Sequence, residues 1–333
     1  MDQTWARRTA GAALQRYGLH DADLQFVKFR ENWVFRATCD GADYAVRLHR
    51  PGLHTAEAVG TELAYLSALQ QRGFPVPEPV RTTDGELICA VEDGPGGTVL
   101  VCVMRWVVGG RQLGDAGAAF DGSSPITPED LHRVGQLAGA LHNHLTELGR
   151  LPGFDRDAWD GPGLLGAQAL WGDPLALPAL SAPDRELLSG AVDRLAADLA
   201  DLGDGPDVYG VIHADLTPEN VLVRGSEFVV IDFDDFGEGW HLFELATVLF
   251  FFRPHPRFAE FVDAVVSGYR TQRELDDRQL AHWTGMLLAR GLTYLGWAAA
   301  RPGEETAAWI AEEVVPVVVA LAQEYLAERA ELV

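Results

Sequence analysis

The stretch Tyr209–Asp232, YGVIHADLTPENVLVRGSEFVVID, constrains this chain more than any other. An apolar approach ends at His213-Ala214-Asp215, and Asn220 follows five residues after Asp215. A second apolar run, Glu227 to Ile231, then delivers Asp232. Acids and amides in loops between apolar runs are ordinarily turn formers. Here the lead-in, the H-x-D, the Asn at that distance, the strand and the acid after it coincide in order. That spacing suits phosphoryl transfer: Asp215 is placed to orient an attacking hydroxyl and accept its proton, while Asn220 and Asp232 hold Mg2+ over a nucleotide's phosphates. Magnesium takes hard oxygen ligands, one or two carboxylates from the protein and the rest from phosphate and water.

A chain of 333 residues is long enough for two lobes. With 47% hydrophobic and 23% charged residues, it has the composition of a soluble globular protein. Its longest apolar runs, Leu245 to Phe252 and Val314 to Ala322, are too short to span a bilayer, and the N-terminal MDQTWARRTAGAAL has the pattern of an amphipathic helix, not a signal core. Three cysteines (Cys39, Cys89, Cys102) with no metal-ligand spacing point to reduced thiols and a cytoplasmic location. The net charge of −23 is uneven: residues 1–104 carry 10 basic and 13 acidic side chains, net −3, and the remainder net −20. Such acidity disfavours nucleic acid and anionic membranes as partners; it serves solubility and would equally attract a cationic substrate. Lys28 is the only lysine among 26 basic residues, so almost every cationic role falls to arginine.

Taken in order, the pattern predicts a helix over Thr4–Tyr17, then strands at Leu24–Arg30, Trp33–Thr38 and Tyr44–His49 whose period-2 alternation fits an antiparallel sheet with one buried face. A helix over His54–Gln71 stops at Gly73 and the Pro75/Pro77/Pro79 series. Strands Glu86–Glu92 and Thr98–Val108 flank an Asp93–Gly97 turn. A linker runs from Gly109 to Ser124, and Thr127-Pro128-Glu129 opens a helix to Leu148. Residues 150–182 read as an irregular insertion, Pro183–Leu202 as a helix, and the remainder as helices near His241–Phe252, Pro256–Gln272, Glu274–Ala299 and Glu304–Glu331. The expected architecture is α+β, with a small sheet lobe (1–108) and a helical lobe (109–333).

This order resembles the protein-kinase-like fold and, more closely, the aminoglycoside phosphotransferase superfamily, which includes choline and homoserine kinases. The segments that carry the resemblance are Tyr44-Ala-Val-Arg-Leu-His-Arg-Pro51, Glu62-Leu-Ala-Tyr-Leu with Pro75-Val-Pro, HADLTPENVLV, and IDFDDFGEGWHLFELA. The resemblance implies that Asp215 is the base and that Asn220 and Asp232 are the metal ligands. It implies that Arg47 takes the place of the strand lysine that meets nucleotide phosphates, with Glu62 as its helix partner. Val103 to Val107, with Met104, Arg105 and Trp106 at its centre, would read the purine edge. The chain departs from the family pattern in three places. Arg47 keeps the charge in a bulkier planar form. The Phe29–Val34 hairpin has no glycine. Glu244 stands where the pattern has Asp, which leaves its role open, as are those of Asp234 and Asp235.

Ala214 and Thr217 replace residues that protein kinases use for a loop phosphate and the transferred phosphoryl group, and Asp232 and Glu244 are too close for a regulated activation segment. The expected activity is therefore ATP- and Mg2+-dependent transfer to a hydroxyl of a small, cationic molecule. The alternatives are a bacterial stress-response type of Ser/Thr protein kinase and a nucleotide-binding pseudokinase without catalysis. The substrate side is expected from the 150–182 insertion, the loop after Asp232 and the C-terminal helices, with Asp235, Trp240 and Trp283 as candidate contacts. Aromatics beside carboxylates suit a cation, although tryptophans at helical spacing ordinarily belong to a core.

Overall fold

The computed structural model describes residues 2–92 and 97–331. The expected turn at Asp93–Gly97 lies mostly outside the described residues. Asp2 caps α1 (Gln3–Arg16) by accepting from the Trp5 amide. Strands β1 (Asp23–Phe29), β2 (Trp33–Cys39) and β3 (Ala42–Leu48) follow, then α2 (Ala56–Gln71), capped by Thr55, and β4 (Ile88–Glu92) and β5 (Thr98–Arg105). The five strands form one antiparallel sheet in the order β1-β2-β3-β5-β4. One face of this sheet carries Phe35, Ala37, Val46, Leu48, Val99, Val101 and Val103, which pack with Ala6, Ala10, Ala13 and Leu14 of α1. Because side chains alternate along a strand, Arg47 leaves the opposite face of β3, where it meets Glu62 of α2. The register of β1 on β2 shifts between Phe26 and Lys28, a bulge that turns Val27 outward.

Beyond β6 (Arg111–Gln112) the chain is mainly helical. The expected linker contains α3 (Ala116–Asp121), capped by Asp115. Thr127 and Asp130 form a reciprocal capping box at the start of α4 (Pro128–Leu148). The 150–182 segment holds β7 (Ala158–Trp159) and α5 (Gly161–Leu164). After α6 (Ala182–Leu202) come β8 (Tyr209–Ile212), β9 (Val221–Arg224), β10 (Glu227–Val230) and β11 (Gly237–Trp240), then α7 (His241–Leu249) and α8 (Phe258–Arg270). The single helix expected over Glu274–Ala299 is two: Asp276 and Gln279 cap a short exposed α9 (Asp277–Leu280), and α10 (Trp283–Ala300) starts afresh. The last helix is also interrupted. A π-turn at Ile310–Val314 separates α11 (Glu305–Trp309) from α12 (Val315–Glu331). Pro316 explains it: proline has no N–H for the carbonyl four residues back and crowds it, so the turn before it widens.

The chain divides into two compact units. The first comprises residues 1–111 with 150–156 and 222–231, and the second comprises 112–149, 157–221 and 232–333. In the second unit, β8 lies antiparallel to β11, which runs parallel to β7. There α4 and α8 pack almost backbone to backbone: a Cβ on Gly268 would lie 1.9 Å from the His132 carbonyl oxygen, and one on Gly135 2.1 Å from that of Val265. This closeness brings His142 of α4 against Tyr269 of α8, beneath the β8 loop.

The contact gives a paired expectation. Gly268→Ala cannot be accommodated without separating the helices and should cost about 3 kcal/mol in urea unfolding. Gly190→Ala, on an open face of α6, should gain about 0.5–1 kcal/mol from helix propensity alone. Equal midpoints for the two variants would disprove the close-packing account.

Candidate active site

Strand β8 carries the chain into His213-Ala214-Asp215, where Ala214 adopts a left-handed backbone with φ 64°. A non-glycine residue in that region is strained by about 1–2 kcal/mol. The strain is held from both sides. Below, the buried Glu244 of α7 accepts from the His213 amide at 2.7 Å and from the Ala214 amide at 2.8 Å. Opposite, Arg290 of α10 donates through Nη1 to the Ala214 carbonyl at 3.2 Å. A carboxylate accepting two backbone amides has one acceptor for each orphaned donor, which settles the role left open for Glu244 in the sequence.

The Asp215 carboxylate that emerges from this loop is gripped at each oxygen. Arg290 Nη2 donates to Oδ1 at 2.5 Å, and Asn220 Nδ2 donates to Oδ2 at 2.9 Å and to the Asp215 carbonyl at 2.8 Å. Asn220 ends the short 3₁₀ turn Pro218–Asn220 and is itself buried. With Nδ2 committed to Asp215, its Oδ1 is the end left to face a cation. Asp232 follows β10 and also takes left-handed backbone, φ 68°. Burial first, then the nearby Asp232 and Glu219 carboxylates, push Asp215 up to about 6 against the pull of Arg290. Asp235 is raised to about 7 by burial and by Asp215 and Asp234, although Trp171 Nε1 donates to its carboxylate at 2.9 Å. Its carbonyl accepts from Trp159 Nε1 at 2.8 Å.

Arg290 was not singled out in the sequence. It is fully buried, with its guanidinium carbon 4.6 Å from the Trp171 ring centre and 4.3 Å from that of Tyr294, whose hydroxyl accepts from Nη2 at 2.8 Å. Burial works against its charge, but Tyr294, Asp215 and Asp235 hold its pKa above the ordinary arginine value. One signal was available: a lone arginine in the apolar run MLLARGLTYLGW must find a counter-ion if that helix is buried.

The other expected residues fall into two groups. In the first unit, Arg47 and Glu62 form a buried ion pair through Nη2 and Oε1. The Arg105 amide donates to Glu78 and the Trp106 amide to Asp43, while Met104 lies opposite Ala45 in the β3–β5 ladder. The amides of 105 and 106 are thus already bonded within the protein, so the segment's remaining polar groups are those a purine could use. In the second unit, Trp240 and Trp283 are placed elsewhere than beside Asp215. Trp240 pairs with Tyr209 at the far end of β8 and donates to the Gly203 carbonyl at 2.8 Å, about 10 Å of strand from the loop. Trp283 opens α10 two turns before Arg290, about 10 Å along the helix. Trp171 and Trp159 are the indoles at Asp235.

Among the described residues, no three His, Cys, Asp or Glu side chains gather to cage a metal. One amide oxygen and one carboxylate fit a hard cation that completes its shell with phosphate and water. The Phosphotransferase enzyme family model matches residues 26–285. The chain belongs to this family. A solved structure of a microcompartment-associated aminopropanol kinase is 30% identical, covers 98% of both chains and superposes with a TM-score of 0.85. The amicoumacin kinase of Bacillus subtilis (strain 168) is 25% identical over 275 residues, 79% of this chain and 76% of that one. The amicoumacin kinase hAmiN, solved with AMP-PNP, Ca2+ and Ami, is 21% identical over 96% of this chain and 94% of that one, with a TM-score of 0.75. This member of the phosphotransferase family is thus an α+β kinase with a five-stranded sheet and a larger helical part, and no described helix is long and apolar enough to cross a membrane.

Beneath Glu244 lies a buried histidine pair. His142 stacks on His241 with ring centres 4.6 Å apart, shares a 2.8 Å hydrogen bond between Nδ1 and the Tyr269 hydroxyl, and places Nε2 3.5 Å from Glu244. Burial, aided by Arg273, lowers His142 to about 3, so it is neutral in the folded protein. Between its ordinary value of 6.5 and 3, only the unfolded chain takes up this proton, so the residue costs stability as pH falls. His142→Asn removes that cost, whereas the buried carboxylates, whose shifts act in the opposite sense, are common to both proteins. The stability lead of the wild type over the variant should therefore shrink by about 1.4 kcal/mol per pH unit below 6.5. Urea midpoints at pH 7.5 and 5.5 measure it, and a lead that does not change with pH would refute the neutral assignment.

Proposed function

We propose that the chain transfers the γ-phosphoryl group of ATP to a hydroxyl of a small amine-bearing alcohol in the cytoplasm. The observation that carries this reading is the Asp215 carboxylate held between Asn220 and Arg290, with a second, partly exposed acid, Asp235, near enough to feel its charge. In the transfer, the bond from the γ-phosphorus to the bridging oxygen breaks and ADP leaves with its electron pair. The acceptor oxygen forms the new bond, and its proton passes to Asp215. Asp215 supplies orientation and a proton acceptor; most of the acceleration comes from position and charge. Asn220 Oδ1 and Asp232 would hold Mg2+, which supplies charge stabilisation on the phosphates when bound. Arg47, oriented by Glu62, would meet the nucleotide phosphates, and the Met104–Trp106 segment would lie along the purine. Asp235, flanked by the indoles of Trp171 and Trp159, would receive the ammonium group of the acceptor. The acidic charge of the chain favours such a cation and disfavours nucleic acid and anionic membrane surfaces as partners. The aminopropanol kinase, whose name gives an amino alcohol, supports the same substrate class.

The test is Mg2+-dependent ADP release from ATP with 1-amino-2-propanol, homoserine, choline, an amino sugar, neutral diols and a basic protein as acceptors. An amine-bearing alcohol should outperform the neutral diol of its size by about 10-fold or more, the worth of one charge-assisted contact. Its KM should fall as pH rises through about 7, where Asp235 ionises. Asp215→Asn should lower kcat by about 1,000-fold with little change in nucleotide affinity. Transfer to the basic protein alone, or diols used equally well, would reject the proposal.

A further inference from the structure

We infer that Arg290 is a positioning residue for the transfer: its guanidinium fork fixes the plane of the Asp215 carboxylate and, at the same time, the left-handed backbone that presents it. The inference deepens the proposed phosphoryl-transfer reading and rests on it.

The geometry is a two-point grip. Nη1 takes the Ala214 carbonyl and Nη2 takes Asp215 Oδ1, so one rigid planar group spans the strained residue and the side chain beside it. Asn220 Nδ2 takes the other carboxylate oxygen, Oδ2. A carboxylate bonded at both oxygens from opposite sides cannot turn about its Cβ–Cγ bond without breaking one of them. Only the remaining lone pairs can then meet an incoming hydroxyl, and they point in fixed directions.

The fork is itself packed on several sides. Trp171 and Tyr294 flank the guanidinium at 4.6 and 4.3 Å, Phe243 lies at 5.9 Å, and the Tyr294 hydroxyl accepts from Nη2. Trp171 is in turn tied to Asp235 by its indole N–H. Tyr294 and Arg290 are four residues apart on α10 and so share one helix face. Nothing in this arrangement requires Arg290 to touch the acceptor or the nucleotide. It is fully buried, and its action reaches the reaction through Asp215. A lysine could supply the charge but not the fork, because one ammonium cannot hold two acceptors in a common plane.

The test uses the full-length protein with ATP, Mg2+ and 1-amino-2-propanol, and steady-state kinetics for Arg290→Lys and Arg290→Met. Misplacing a base by about an ångström costs about 100-fold, so Arg290→Met should lose about that in kcat, with KM for ATP and for the acceptor within about 3-fold of wild type. Arg290→Lys, which retains the charge, should recover only about 10-fold of that loss. In an Asp215→Asn background, Arg290→Met should cost little more, because the two act as one unit. Wild-type kcat in Arg290→Lys, or losses that multiply in the double variant, would overturn the inference. A crystal structure of Arg290→Lys gives a readout independent of turnover. The Asp215 carboxylate should be rotated away from Asn220, and an unchanged carboxylate would overturn the inference even if no acceptor on the panel is used. A wild-type enzyme silent on every acceptor, with the carboxylate rotated in the variant, would reject the substrate reading and leave the positioning role standing.

Discussion

The structure around Asp215 depends on one strained residue. Ala214 is held in a left-handed conformation that an alanine would not choose, and the strain persists because charged groups bond its amide and its carbonyl from opposite sides. Glu244 on α7 and Arg290 on α10 come from helices distant in sequence, so the bend at His213–Asp215 exists only once both have docked. The loop is therefore a product of tertiary packing. The near contact of α4 and α8 belongs to the same arrangement, because it sets His142, bonded to Tyr269, 3.5 Å from the buried Glu244.

Burying so many ionisable groups together is costly, and the way they are matched explains much of the local chemistry. Asp215, Asp232, Asp235 and Glu219 would repel one another if they shared a site without a cation. Arg290 supplies one positive charge in their midst, is desolvated with them, and is clasped by aromatic faces rather than by water. Even so, Asp215 and Asp235 titrate above their ordinary values. Burial is the larger cause and mutual repulsion the second, and both favour the arrival of further positive charge, whether as a metal ion beside Asn220 and Asp232 or as an ammonium group beside Asp235. The surplus of acids over Arg290 is thus consistent with a site completed by cationic ligands.

Much of this was readable in the sequence, and what was not has a common cause. Local patterns sufficed where the information is local: the alternation of Tyr44–His49, the Thr127-Pro128 helix start, and the H-x-D-x-x-x-x-N spacing that sets Asn220 against Asp215. The pairing of Arg47 with Glu62 followed from the family resemblance, and the two side chains do meet. The role of Glu244 stayed open and Arg290 stayed hidden because their partners are backbone atoms and a carboxylate 30 or more residues away. The interruption at Ile310–Val314 is invisible to apolar spacing, because it comes from Pro316, whose missing N–H the helix absorbs as a wider turn. Tryptophan was the least informative residue: position in the chain put Trp240 and Trp283 among the candidate substrate contacts, whereas packing puts Trp171 and Trp159 at Asp235.

That separation bears on how an amine could be recognised. An aromatic box beside a catalytic acid suggests a receptor for the substrate's cation, yet here the faces of Trp171 and Tyr294 are already occupied by Arg290. A ring face that holds a buried guanidinium is not available to a second cation on the same side, and like charges would oppose its approach. On the proposed function, recognition of an ammonium group would fall to a carboxylate rather than to these π-faces, and Asp235 is the acid whose position the indoles fix by donation from Trp171 and Trp159. The aromatic residues then act twice removed from the substrate. Trp171 touches both the arginine that holds Asp215 and the acid that would hold the amine, so replacing it should disturb both through geometry alone, whereas Trp159 bonds only the Asp235 carbonyl.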